Sequence, residues 1–410
     1  MVLFLRFMEN WQKNLYSIWA AQFLAAVGLS MVLPFLPFYI RELGVNGDKA
    51  VRIWSGLIFA APFMVSVFMQ PLWGILGDRN GRKPMIVRGM AGIALATFLM
   101  GFARTALQLL FLRFFQGAIS GFVAPSLALV ATSTPREKTG QALGTLQAAL
   151  VTGMGLGPLL GGVFAHFMGF RSIFFWTGGL CFVGTFVAYR FVKEDFVKPD
   201  KAEGSSLRYN ISYILHSPQL RAILGLLILV QFSIQVVAPF LSLYVESLHV
   251  SPEYVGLVTG MVFGITGVTN AVTSPLWGRQ ADRHGFRKVL QISLLGMIIF
   301  YLPQAFVTEA WQLLFLRAGL GIFVAGAIPT INAIVHRSTL EKDRGGMYGI
   351  FQSGLMIGNV AGPLLGGSLA AIFGLPAIFL ITTGLMVLAF FWEKKAAVYP
   401  CGSEKSNLSR

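Results

Sequence analysis

The amino-acid sequence predicts an all-α membrane protein of twelve transmembrane helices arranged as two pseudo-symmetric six-helix bundles. Three observations lead there. Of the 410 residues, 55% are hydrophobic and only 12% charged, with a mean hydropathy of +0.69, which leaves too little polar surface to cover a soluble globule of this size. Apolar stretches of the roughly 20 residues needed to cross about 30 Å of hydrocarbon recur twelve times. The chain also writes one segment twice: Pro71-Leu72-Trp73-Gly74-Ile75-Leu76-Gly77-Asp78-Arg79-Asn80-Gly81-Arg82-Lys83 returns, 204 residues on, as Pro275-Leu276-Trp277-Gly278-Arg279-Gln280-Ala281-Asp282-Arg283-His284-Gly285-Phe286-Arg287.

Taken in order, the first stretch covers 15–40 and carries Pro34-Phe35-Leu36-Pro37-Phe38-Tyr39, echoed 205 residues later by Pro239-Phe240-Leu241-Ser242-Leu243-Tyr244 in the seventh, 219–245. The second (54–76) and eighth (254–278) end in the duplicated segment. Gly81 permits a tight turn into the third (85–103), and Pro84 suits the first turn of a helix. The fourth (107–130) and tenth (311–335) share Leu109-Leu110-Phe111-Leu112-Arg113 and Leu313-Leu314-Phe315-Leu316-Arg317. The fifth (140–165) and eleventh (345–370) share Gly157-Pro158-Leu159-Leu160-Gly161-Gly162 and Gly362-Pro363-Leu364-Leu365-Gly366-Gly367. The sixth (171–192), ninth (288–306) and twelfth (375–392) complete the two sets.

Lys193 to Ser217 is the one long hydrophilic stretch and reads as a cytoplasmic linker. The expected organisation is therefore an N-terminal half over 1–192, a linker over 193–217, a C-terminal half over 218–395 and a tail over 396–410. Each half holds an even number of spans, so both enter the membrane with the same polarity. Parallel repeats of this kind are related by an axis along the membrane normal, and a site between them can be opened to either side by rocking.

The net charge of +15 is explained by topology. With both termini in the cytoplasm, only Arg41, Lys49, Arg52, Arg104 and Arg171 fall on the outer side and only Arg113 and Arg317 inside the membrane; the other 25 of the 32 Lys and Arg residues lie on the inner side. This bias sets orientation, so no nucleic-acid partner is implied. Cys181 lies in the sixth span and Cys401 in the tail, which implies no disulfide framework. No His/Cys metal spacing, phosphate-binding loop or Ser/His/Asp arrangement stands out, so neither a cofactor nor an enzyme is expected.

Several residues carry a mechanism. Asp78 can pair with loop arginines or face the positive end of the helix starting near Gly345, and Gly74 permits close helix approach. Gly153, Gly157 and Gly161 recur every four residues, with Pro158 and Gly162 among them, and form a small-residue stripe for helix packing. Arg113 is costly in hydrocarbon, so it should face the bundle interior or a water-filled cavity; Gln116 shares its face. At the residue matching Gln116 the second half has Leu320, which makes Arg317 the weaker candidate. All seventeen Asp and Glu residues fall in loops, tails or span ends, leaving no carboxylate at the midplane. Gln22, Gln147, Gln231, Gln235, Asn332 and Asn359 sit in helices expected to line the centre, either as substrate-cavity groups or as interhelical hydrogen-bonding groups. His166 lies near the outer end of the fifth span.

The segment from Gly74 to Lys83, with its copy, resembles the signature between the second and third helices of the major facilitator superfamily. The resemblance covers essentially the whole chain and comes nearest to the twelve-span drug:proton antiporters. It implies that Gly74, Asp78, Arg79, Gly81, Arg82 and Lys83, with Gly278, Asp282, Arg283 and Arg287, latch the cytoplasmic side in the outward-open state. It associates Arg113 with proton coupling, and it likens the Gly153 to Gly162 pattern to the antiporter motif of exporters. The expected function is proton-coupled efflux of drugs or other small amphipathic molecules by alternating access, with a small-molecule substrate, protons and the lipid bilayer as partners. The expected form is a monomer in the bacterial cytoplasmic (inner) membrane with both termini cytoplasmic. Export of a sugar or small metabolite, with different or no proton coupling, stays open.

Overall fold

The computed structural model describes residues 9–194, 207–337 and 344–395; the side chains of Ile75, Asp78, Arg136, 207–211, 336–337 and 344–348 are outside the description. Among the described residues the chain forms only helices, twelve of them long and apolar enough to cross a membrane. In hydrocarbon this is what backbone N–H and C=O groups demand, because a helix satisfies them internally.

Interruptions follow local chemistry. The first span, Asn10–Glu42, contains a 3-10 turn at Leu33–Phe35, where Pro34 and Pro37 bring no N–H to the ladder. The seventh, Pro218–Ser247, repeats it at Ala238–Phe240 around Pro239. The tight turn expected at Gly81 is present: Gly81 joins Asp48–Asn80 to Arg82–Met100 with φ at +94°, a left-handed value that a Cβ resists. Gly285, at φ +90°, makes the same turn between Val255–His284 and Phe286–Tyr301.

The fourth span departs from the single helix expected over 107–130. It consists of Ala106–Ile119 and Val123–Ser133, broken where Gly121 takes φ +116°. Its copy, Ala310–Arg337, runs unbroken, and the residue in register with Gly121 is Ala325. Within the stretch read as linker, Leu207–His216 is helical. Ile214 is buried there while Tyr213 and Leu215 are exposed. The tail from 396 lies outside the described residues, and Cys181 is a buried free thiol.

Packing repeats between the halves. The first span lies on the fifth and sixth, the third on the sixth and fourth, and the second on the fourth; the seventh to twelfth spans repeat each of these pairings. The halves meet along two seams, the fifth span on the eighth and the second on the eleventh. Glycine makes both seams possible. A Cβ on Gly162 would lie 3.0 Å from the Gly256 carbonyl oxygen, one on Gly155 would lie 2.9 Å from Gly267 C, and one on Gly367 would lie 3.0 Å from the Arg52 carbonyl oxygen. Every one of these contacts is in the helix halves remote from the termini. Toward the face that carries both termini and the linker the same helices part: a Cβ on Gly74, Gly140, Gly144, Gly278 or Gly349 would meet nothing within 4 Å. The molecule is closed at the face opposite the termini and open at the terminal face.

The fifth span offers an internal control on this packing. A methyl on Gly157 would lie 2.5 Å from the Val27 carbonyl oxygen and 3.0 Å from Ser30 Cβ, whereas one on Gly144 would meet nothing. Gly157→Ala is expected to lower stability by about 1–3 kcal/mol through overpacking, and Gly144→Ala to raise it by up to about 1 kcal/mol through helix propensity. Thermal unfolding of the purified variants in detergent measures both.

Candidate transport site and gates

Arg113 is 4% exposed. Its Nη1 donates to Gln116 Oε1 at 2.8 Å, and Gln116 Nε2 donates to Thr97 Oγ1 of the third span at 2.9 Å. The i,i+3 spacing puts Arg113 and Gln116 on one helix face, so the expected sharing of a face becomes a direct bond. Arg113 Nε and Nη2 are buried without a hydrogen-bond partner among the described residues. In the copy, Arg317 is 6% exposed, but Leu320 and Tyr301 stand in register with Gln116 and Thr97. The Arg317 guanidinium lies 5.8 Å from the Tyr301 ring and 5.9 Å from the Phe379 ring. One half therefore holds its intramembrane arginine in a polar chain and the other between aromatic faces.

Three basic residues of the duplicated segment, Arg82, Lys83 and Arg287, are tied within their own halves. Arg82 Nη1 donates to the Ala128 carbonyl at 2.8 Å and to Thr132 Oγ1 at 2.6 Å. The backbone N–H groups of Arg82 and Lys83 donate to the two carboxylate oxygens of Glu194 at 2.8 and 2.7 Å, an anion at the positive end of the third span. Lys83 Nζ lies 5.8 Å from the Tyr189 ring. In the copy, Arg287 Nε donates to Glu393 Oε1 at 3.0 Å and Gln291 Nε2 to Glu393 Oε2 at 2.6 Å; Glu393 stands in register with Tyr189. Arg79, Asp282 and Arg283 are exposed at the terminal face. The close helix approach expected at Gly74 is absent, since space is open beside both Gly74 and Gly278 where the halves have parted. The Asp78 side chain lies outside the described residues.

The fifth-span pattern has two faces. Gly153, Gly157 and Gly161 back onto the first span from Phe23 to Phe35, while Gly155, Pro158 and Gly162 meet the eighth. Gly358, Gly362 and Gly366 back onto the seventh span in the same way, so the stripe serves close packing in both halves.

The polar candidates divide. Gln231 Nε2 donates to Asn359 Oδ1 at 2.6 Å, joining the seventh and eleventh spans. Gln235 packs on Gly362, whose Cβ would lie 2.6 Å from Gln235 Cβ. Gln22 is buried with neither amide atom hydrogen-bonded among the described residues. Gln147 is exposed and Asn332 half-buried.

Sequence reasoning missed the closed face. There Arg41 Nη1 contacts both carboxylate oxygens of Glu246 at 2.7 Å, across the two halves. Arg52 Nη1 donates to the Ala370 carbonyl at 2.9 Å, and Asp48 lies 3.4 Å from Arg41 and 3.8 Å from Arg52. On the other seam His166 Nδ1 is 2.8 Å from the Glu253 carbonyl oxygen, and its ring stacks on Tyr254 with centroids 5.5 Å apart. A signal existed: Arg41 and Glu246 follow the repeated Tyr39 and Tyr244 by two residues, in register, with opposite charge.

Known proteins were compared with this architecture. A sequence model of the Major Facilitator Superfamily matches residues 18–257 and 223–400. Multidrug resistance protein MdtG of Salmonella typhimurium is 35% identical over 378 residues, covering 92% of this chain and 94% of that protein, and MdtG of Salmonella newport gives the same figures. Among solved structures, nucleoside transporter NupG superposes with a TM-score of 0.77 at 12% identity, over 94% of this chain and 99% of that one. A bacterial homologue of the human lysosomal transporter Spinster, inward-facing and occupied, gives 0.80 at 13% identity over 95% and 97%. With the duplicated bundles and the family match over nearly its whole length, this chain belongs to the major facilitator superfamily and is a multi-pass membrane transporter.

Proposed function

We propose that this protein exports drugs or other small amphipathic molecules across the bacterial cytoplasmic membrane as a monomer, by alternating access, in exchange for protons. The observation that carries the reading is the 35% identity over 92% of the chain to MdtG multidrug resistance proteins. Placing both termini in the cytoplasm, as the excess of Lys and Arg on that face supports, makes the conformation described here inward-open. That is the state in which an exporter loads its cargo.

Energy comes from the proton gradient in this reading. One charge moved through 100 mV supplies ~2.3 kcal/mol, which sustains a concentration ratio of roughly fifty-fold. Arg113, Gln116 and Thr97 are the proposed coupling chain, because they form a linked polar path in one half that the other half lacks. The basic residues of the duplicated segment, with Asp78 and Asp282, are proposed to bridge the halves when the terminal face closes, exchanging the in-half partners described above. Gln147, exposed in this conformation, is the proposed polar contact of the cavity.

Charge favours a particular cargo. Arg113 and Arg317 stand inside the membrane, and every Asp and Glu lies at a span end or beyond. A cationic molecule in such a pathway meets like charge and no counterion, so neutral or anionic amphiphiles fit better.

Everted membrane vesicles loaded at acidic lumenal pH test both points. Matched cationic, neutral and anionic amphiphiles are expected to divide, with neutral or anionic members releasing lumenal protons on transport; exclusive response to cations contradicts the charge argument. Gln116→Leu introduces the residue that the second half carries at this position and removes a bond to a charged group worth about 1.5–3 kcal/mol. It is expected to cut coupled proton release roughly ten-fold or more, and unchanged release from well-folded protein removes Arg113 and Gln116 from the coupling path.

A further inference from the structure

Arg41 and Glu246 occupy the same position in the two repeats, 205 residues apart, and they touch each other at 2.7 Å. Equivalent positions of a two-fold repeat can meet only beside the axis that relates them, as at an isologous dimer interface. Two identical charges there would repel whenever the face closed. With arginine in one copy and glutamate in the other, closure brings opposite charges together with two N–H···O contacts to one carboxylate. The flanking contacts differ in kind: Arg52 reaches a backbone carbonyl and His166 another. The axial pair is the ion pair that joins the halves among the described residues.

We propose that Arg41 and Glu246 form the latch that holds the outer face shut, and that breaking it is part of each opening of that face. The latch rests on the alternating-access reading above. Its side chains are 35% and 37% exposed, so water reaches the pair as soon as the halves separate and the latch can reform without trapping a charge. Asp48, at 3.4 Å from Arg41, gives the arginine a second acceptor within its own half while the face is open.

Spin labels at Lys49→Cys and Ser251→Cys, exposed positions on the outer face of each half, report the separation in protein made free of other thiols by Cys181→Ala and Cys401→Ser. The unmodified latch should give one short distance. Glu246→Gln should raise a longer, open population roughly two- to five-fold, the scale of a half-exposed ion pair. The swapped pair, Arg41→Glu with Glu246→Arg, is carried with Asp48→Asn so that the carboxylate introduced at position 41 has no like charge beside it, and it should return the short distance. Distances unmoved by Glu246→Gln, or a swap as open as the single change, would overturn the latch. A chain that moves no substrate yet shows this response would refute the export reading alone, and intact transport with unmoved distances would remove the latch alone.

Discussion

Helix backbones come within contact only where neither presents a side chain, and that requirement decides where the two halves of this molecule touch. In a bilayer no hydrophobic force drives helices together, so close van der Waals packing at small residues supplies the attraction. Gly155 against Gly267, Gly162 against Gly256 and Gly367 against Arg52 and Gly56 form two glycine-backed seams, both in the helix halves away from the termini. Beyond them the second, fifth, eighth and eleventh spans part, which opens the terminal face. The same stripe, read from its other side at Gly153, Gly157 and Gly161, fastens the fifth span to the first. One helix thus carries both a permanent contact and a reversible one, and the halves can rock as rigid bodies while each bundle stays intact.

Charge is arranged around this motion. In the open state two arginines of the duplicated segment are occupied inside their own halves, Arg82 by Ala128 and Thr132 in one and Arg287 by Glu393 in the other. At the closed face, by contrast, Arg41 reaches across to Glu246. Charges are thus paired within a half where the halves are apart, and between halves where they meet. The buried arginines are the exception. Arg113 and Arg317 each keep buried nitrogens without a hydrogen-bond partner among the described residues, an expensive condition in a low-dielectric interior, and the two halves treat that cost differently.

Much of the fold was legible in sequence because periodic and repeated features carry it. Twelve apolar runs, the Gly81 turn and the shared glycine stripe all follow from residue type at fixed spacing. The break in the fourth span was not legible, since Gly121 sits in an apolar run and only its φ of +116° distinguishes it from a helical glycine. Gln231 and Asn359 read equally as cavity or interhelical groups until their 2.6 Å bond joined two spans. The Arg41 and Glu246 pair required knowing that equivalent positions near the axis meet, which repeat alignment suggests but helix tilt decides. Gly74, read as permitting close helix approach, faces open space in this conformation, because sequence does not encode which of two faces is closed.

The central claim is that the glycine seams seal one face while the terminal face stays open until cargo reverses them. Labelling single cysteines from each side of oriented vesicles with a membrane-impermeant maleimide tests it most directly, using Gly144→Cys, in open space, and Leu159→Cys, packed on Gly264. In the resting protein Gly144→Cys should react from the terminal side and Leu159→Cys should be protected from the opposite side, with transported substrate increasing labelling of Leu159→Cys. Ready labelling of Leu159→Cys from the opposite side at rest, with Gly144→Cys protected, would contradict the account.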